Sequence, residues 1–340
     1  MNILAFETSC DETALAWIRV DTDAQSFEIL DQVVYSQIKE HSPYGGVVPA
    51  LAARLHHKKL PEMIQEFIGR NGRDIQAIAA TVGPGLEPSL YAGANQAKVL
   101  ATILGVPFIP VNHMHGHIWS AALNLEGKGV KPEDSEYPFL AYTISGGHTE
   151  MVLVRGYNDY EIIGQTMDDA AGEAFDKVAK LLDLGYPGGP VVSRLAEEGD
   201  ATSIDFPRPM SKSGNGNMSF SGLKTAVLYY VQSLSEVTDQ DKRDIAAAFQ
   251  QAVIDVLLMK LTWASQEYQI NKVVLGGGVT ANKLLRESAL RWSEEQAIPV
   301  LIPAFALSTD NAQMIAVVAA LDVLYGVSER SSDVKGSLSV

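Results

Sequence analysis

A chain of 340 residues exceeds one ordinary core and has room for two domains of typical size. Hydrophobic residues at 46% against charged residues at 20% exclude a disordered chain, and the single Cys10 excludes an internal disulfide and any need for an oxidising compartment. A net charge of -15 excludes nucleic-acid binding by bulk attraction, so a local basic surface or a partner subunit has to offset it.

The opening MNILAFETSCDE has no basic region ahead of an apolar stretch, and no uninterrupted apolar run approaches the roughly 20 residues of a membrane span. The expectation is a cytoplasmic chain without a membrane partner. Residues 3–6, 13–20 and 29–35 read as strands, β-branched and aromatic between polar turns. From 48 to 68 the period becomes helical, with Leu51, Leu55, Leu60, Met63, Ile64 and Phe67 on one side and Pro49 in the first turn. Arg54, His56, His57, Lys58 and Lys59 form the densest basic cluster, a candidate offset to the net charge or a solvated helix face. A strand over 75–82 runs through Gly83-Pro84-Gly85 into a helix over 89–104, the strand–turn–helix order of an α/β layer.

A strand over 106–110 leads to His113-Met114-His115-Gly116-His117, which holds three of the seven histidines. On a helix, His113 and His117 project from one face and can share a metal ion, while His115 points away. A carboxylate from elsewhere is the usual completion, and Asp310 is the candidate. Its competing role is N-cap of a helix running to about residue 325. Polar residues 125–136 suit a connecting loop.

The second half echoes the first. An offset of 136 lays Leu4-Ala5-Phe6 on Leu140-Ala141-Tyr142, Ser9 on Ser145 and Thr13 on Thr149; the Tyr44-Gly45-Gly46 and Tyr186-Pro187-Gly188-Gly189 turns follow in the same order, as do strand-turns 75–85 and 272–278. Three ordered echoes predict a duplication. The small-residue turns 9–13 and 145–149 let backbone amides face a phosphate or acyl phosphate. Four acids between Asp168 and Asp176 alternate with Ala and Gly, a pattern that turns some of them toward a cleft. Gly276-Gly277-Gly278 between strand and helix permits close approach of a ring or phosphate, with Asn282 able to read a base or hydroxyl. Residues 212–218 read as a mobile loop and the last dozen as frayed.

The stretches FETSCDET, YGGVVP, GPGL, NHMHGH, SGGHT, DDAAGEAFDK, YPGGP, FPRPM, SFSGLKTAV, GGGVTAN and STDNAQMIA run in order from residue 6 to 317. In them the chain resembles the tRNA N6-adenosine threonylcarbamoyltransferases, formerly O-sialoglycoprotein endopeptidases. The resemblance implies an α/β fold of two duplicated ribonuclease-H-like lobes, as in actin, sugar kinases and the Hsp70 ATPase. The expected lobes are 1–110 with 308–340, and 111–307, with metal and substrate in a cleft between them. It implies that His113, His117 and Asp310 ligate one divalent metal, iron(II) or alternatively zinc(II). It also implies that Thr143, Ile144, Ser145, Gly146, Gly147, Asp176, Gly189 and Asn282 contact threonylcarbamoyl-AMP. Departures from the family pattern are Ala50 for Glu, Pro88 for Gly, His115 for Glu or Ala, Asn217 for Asp and Ser308 for Cys.

The implied reaction transfers threonylcarbamoyl from threonylcarbamoyl-AMP to N6 of the adenosine next to the anticodon, in tRNAs reading codons that begin with A, and releases AMP. Asp11 is a candidate base, on its place in the first turn alone. Expected partners are tRNA, a paralogous non-catalytic lobe protein (TsaB-like) and an ATPase (TsaE-like). The rivals are an ATP-dependent kinase of the same fold, a zinc metallopeptidase, and a non-catalytic scaffold. The peptidase reading lacks the Glu that HExxH places beside its first histidine.

Overall fold

Strands rich in buried apolar residues decide both sheets of the computed structural model, which describes residues 1–72, 74–327 and 330–340. The chain forms two units, Met1–Glu133 with Pro303–Val340, and Asp134–Ile302. The chain passes between them at 133/134 and 302/303, whereas the sequence reading set those points at 110/111 and 307/308. Residues 111–133, with His113 and His117, therefore share a unit with Asp310.

In the first unit β1 (Asn2–Glu7), β2 (Glu12–Asp21) and β3 (Ser26–Ser36) form an antiparallel meander. The helices α1 (Ile38–His41) and α2 (Pro49–Asn71) precede β4 (Ala77–Gly83), which pairs parallel to β1. Then come α3 (Glu87–Leu104), β5 (Phe108–Asn112) parallel to β4, α4 (His113–Trp119), and the short β6 (Lys128–Val130) on the edge of β3. Ile3, Leu4, Ala5 and Phe6 are all buried, so β1 is covered on both faces. Leu4, Phe6, Leu15 and Trp17 meet Leu60 and Phe67 of α2 and Ala97 and Ala101 of α3.

In the second unit β7 (Phe139–Ile144), β8 (Thr149–Gly156) and β9 (Asp159–Gln165) repeat the meander. The helices α5 (Ala171–Leu181), α6 (Gly188–Ala196), α7 (Ser221–Ser233) and α8 (Asp239–Glu267) follow. Next come β10 (Val273–Gly276) parallel to β7, α9 (Lys283–Gln296) and β11 (Val300–Leu301). The chain returns to the first unit through α10 (Phe305–Ser308) and α11 (Ala312–Tyr325), and α11 covers β1, β2 and β3. Residues 312–322 of α11 are buried all round, as a sequence apolar except at Gln313 and Asp322 requires. The helix α8 is long and apolar enough to cross a membrane, but its Phe249, Val253, Val256 and Leu257 lie in the core of the second unit.

The strand orders are β5-β4-β1-β2-β3-β6 and β11-β10-β7-β8-β9. Each has two parallel strands on one side of its first strand and an antiparallel meander on the other. The 136-residue offset carries the cross-strand pair Leu4–Trp17 onto Leu140–Leu153, so the duplication holds at the level of register.

Two segments differ from expectation. The last residues are docked, not frayed: Lys335 N–H donates to Val82 O, Gly85 N–H to Gly336 O, and Asn112 to Ser339 O, while Val334 packs on Val82, Leu90 and Ala94. The 212–218 loop is also tied down. The ammonium of Lys260, 2% exposed, donates to Met210 O, Ser213 Oγ and Asn215 O at 2.8 Å each, and Met218 bridges to Thr166. A buried cation held by carbonyls fixes such a loop without hydrophobic residues.

Candidate metal centre

Two helix starts build the centre. At α4, the side chain of Asn112 accepts from Met114 N–H at 2.8 Å, so the helix begins at His113 and sets His113 and His117 one turn apart. Gly116 lets this turn lie against α11, because a Cβ there would stand 3.0 Å from Met314 Cγ and 3.2 Å from Ile315 Cδ1. At α11 the cap is Asn311, which accepts from Met314 N–H at 3.1 Å, and not Asp310. Asp310 sits one residue outside the cap, and its carboxylate turns to the two histidines.

His117 Nε2 lies 3.1 Å from His113 Nε2 and 3.3 Å from Asp310 Oδ1, which is 3.6 Å from His113 Nε2. The imidazoles meet edge to face with centroids 4.7 Å apart. Both histidines are buried and Asp310 is partly exposed. With both imidazoles neutral and protonated on Nδ1 and the acid ionised, the three facing atoms all present lone pairs, an arrangement that repels unless a cation lies among them. Two imidazoles and one carboxylate are a donor set suited to a divalent transition metal, and the convergence is compatible with one such ion.

The surrounding groups reinforce this. Burial opposes a charge on His113, but Asp310 and Glu7 outweigh it and push the imidazole up to about 9. Burial likewise disfavours ionised Glu7, yet His113 and the Ser9 side chain hold its carboxyl below the ordinary range. Burial first, then Asp11, Asp310 and Glu7, push Glu12 well above its ordinary value. The crowd of carboxylates is a negative field that a cation relieves. His115 points elsewhere, as expected: its Nδ1 lies 3.2 Å from Arg330 Nη1, and burial and that guanidinium press it down to about 3.

Asp11, the candidate base, is buried in the turn between β1 and β2, its carbonyl accepting from Gln37 N–H at 3.0 Å. The same turn is held by His56, whose Nε2 contacts Cys10 O at 2.9 Å while its Nδ1 meets Thr13 Oγ1 at 2.8 Å. His56 is fully buried, which removes it from the expected basic cluster; Arg54, His57 and Lys58 remain exposed. Pattern reading missed it because its helix face is apolar except at this one position.

The remaining residues expected at the site lie in the second unit. Thr143 and Ile144 are the last two residues of β7, and Ser145, Gly146, Gly147 and His148 form a turn closed by Ser145 N–H to His148 O at 2.7 Å. Gly146 and Gly147 are exposed, with nothing within 4 Å of where a Cβ would stand. Gly277, at φ +87°, passes so close to Ile144 that a Cβ would lie 2.6 Å from its carbonyl oxygen, which brings the β10 turn beside the β7 turn. Asp176 accepts from Gly188 N–H at 2.7 Å at the start of α6, next to Gly189. Asn282 caps α9 through Leu285 N–H, and its amide donates to Gln250 Oε1 at 2.6 Å. The other acids of that motif are held internally: Asp168 accepts from Ser219, Phe220 and Ser221, and Asp169 pairs with Lys177 and Lys224. One unexpected group is Glu150, directly opposite Thr143 across the sheet; burial pushes its carboxyl up to about 7.

The family model of the tRNA N6-adenosine threonylcarbamoyltransferases matches residues 28–317. The chain is 47% identical over 322 residues to a protein of that name from Kosmotoga olearia, covering 94% of this chain and 92% of that one. It is 43% identical to one from Thermosipho melanesiensis, covering all of both. Among solved structures it is similar to component A of (R)-2-hydroxyglutaryl-CoA dehydratase from Acidaminococcus fermentans. The TM-score is 0.53 and the identity 14%, over 94% of this chain and 98% of that one, a likeness of fold alone.

Proposed function

The chain belongs to the tRNA N6-adenosine threonylcarbamoyltransferase family, and from that premise we propose that His113, His117 and Asp310 hold the divalent metal of a threonylcarbamoyl transfer site. Its activity is the modification of tRNA, and its fold is the two-unit α/β plan of actin, sugar kinases and the Hsp70 ATPase. The kinase, peptidase and scaffold readings have no comparable support. In the proposal the metal is iron(II), with zinc(II) as the alternative. When bound, it supplies Lewis-acid stabilisation of charge developing on carbonyl or phosphate oxygens.

The donor is threonylcarbamoyl-AMP, a mixed carboxylic-phosphoric anhydride. The backbone of Ser145, Gly146 and Gly147 suits its phosphate, because exposed glycine amides approach an anion without a Cβ in the way. Thr143, Ile144, Asp176, Gly189 and Asn282 orient the rest of the adenylate. The adenine N6 amine attacks the carbamoyl carbon, the bond from that carbon to the phosphate oxygen breaks, and AMP leaves with the bonding pair. Asp11 is the candidate acceptor of the amine proton. The acceptor is the adenosine next to the anticodon, unstacked for reaction. At a net charge of -15, tRNA is held with help from a TsaB-like lobe protein and a TsaE-like ATPase in the cytoplasm.

The observation that carries the reading is the convergence of three ligand atoms at 3.1 to 3.6 Å. Purified protein is expected to contain about one equivalent of metal per chain. His113→Ala and His117→Ala are expected to bind metal measurably more weakly, through the two donors that remain, and to lose transfer while keeping the wild-type circular dichroism spectrum. Retention of transfer by either variant after chelation would sink the assignment.

A further inference from the structure

Glu7 is fully buried at the end of β1, where a carboxylate needs a donor for each oxygen. Its Oε1 accepts from Ser9 N–H. Its Oε2 accepts from the Thr81 hydroxyl at 2.5 Å and faces His113 Nδ1 at 3.2 Å. Thr81 is in place because β4 runs parallel beside β1 with Phe6 opposite Ala80, so the next residues, Glu7 and Thr81, are neighbours too.

A metal on Nε2 takes the lone pair there, so the one proton of the neutral His113 ring sits on Nδ1, where Glu7 Oε2 and Ser9 Oγ both lie at 3.2 Å. The Nε2 lone pair is then left facing His117 Nε2 and Asp310 Oδ1. His117 has no such support: its Nδ1 is buried and finds no hydrogen-bond partner among the described residues. Only one of the two imidazoles is thus set by the protein. The charge count agrees, since Glu7 and Asp310 together match a divalent cation held by neutral imidazoles.

We propose that Glu7, braced by Ser9 and Thr81, is the positioning residue of the metal centre: it makes His113 the preset ligand, fixing its tautomer and ring orientation, and leaves His117 to adjust. This rests on the metal reading above. Carboxylates behind a ligating histidine are typically worth about 10- to 100-fold in metal affinity.

The test is the affinity of full-length protein for Zn²⁺ alone, by competition with a chromophoric chelator. Glu7→Gln is compared in the wild-type, His117→Ala and His113→Ala backgrounds. The expected result is a loss of roughly 10- to 100-fold in the first two and less than twofold in the third, because Glu7 has nothing to position once His113 is gone. An equal loss in all three marks a merely structural role and overturns the proposal, as does affinity within twofold of wild type. Thr81→Val, which removes one brace and leaves the carboxylate, carries the test if Glu7→Gln does not fold; an unchanged affinity then overturns it. Failure of the wild-type chain to bind metal is a separate result, since it defeats the metal reading itself and this inference with it.

Discussion

Two buried titratable side chains outside the triad place opposite demands on stability. Glu150 is raised to about 7 by burial, from 4.5. Its folded form keeps a proton that the unfolded chain gives up, so its contribution is full below pH 4.5 and is lost as pH rises to 7. Glu150→Gln should therefore raise the melting temperature at pH 8 and leave it unchanged at pH 4, which calorimetry at the two pH values checks. His115 is depressed to about 3 from 6.5, and the sign reverses: its contribution is present above pH 6.5 and lost as pH falls toward 3. In urea unfolding between pH 6 and 4, wild type should lose about 1.4 kcal/mol per pH unit more than His115→Gln. Equal slopes would show that His115 titrates alike in both states.

The same logic extends to whole elements, where close approach matters more than charge. The turn of α4 lies on α11 only because residue 116 has no side chain. Gly116→Val should cost about 1–3 kcal/mol by overpacking against Met314 and Ile315 and weaken metal binding, although all three proposed ligands remain. Normal Zn²⁺ affinity in that variant would show that the packing of α4 on α11 does not set the ligand spacing. Lys260 is the counterpart for the 212–218 loop. Lys260→Met leaves Met210 O and Asn215 O without their donor, which should cost about 1–3 kcal/mol and open the loop to limited proteolysis. Helix spacing made the histidine pair legible in advance, whereas capping did not resolve: Asp310 and Asn311 are both good caps, and the carboxylate is free to face the histidines because its neighbour takes that role.

For the molecule as a whole, the proposed metal centre links metal and stability, because an ion that binds only the folded state adds to its free energy. Zn²⁺ at about 100 times its dissociation constant should stabilise the chain by roughly 2.7 kcal/mol, and excess chelator should remove that gain. A melting temperature indifferent to both would mean the site is empty or equally available in the unfolded chain. The sequence by itself determined the duplication and the 136-residue register, the α/β class, the family, and the spacing of His113 and His117, because these are periodic or contiguous features written along one segment. Tertiary structure alone decided that Glu7 meets His113 and Thr81, that His56 turns inward to Cys10, and that Lys260 and the C-terminal residues tie down segments that look mobile. Each of those contacts joins residues brought together by parallel pairing or helix packing over 40 or more positions, and a short-range pattern holds no information about distances of that kind.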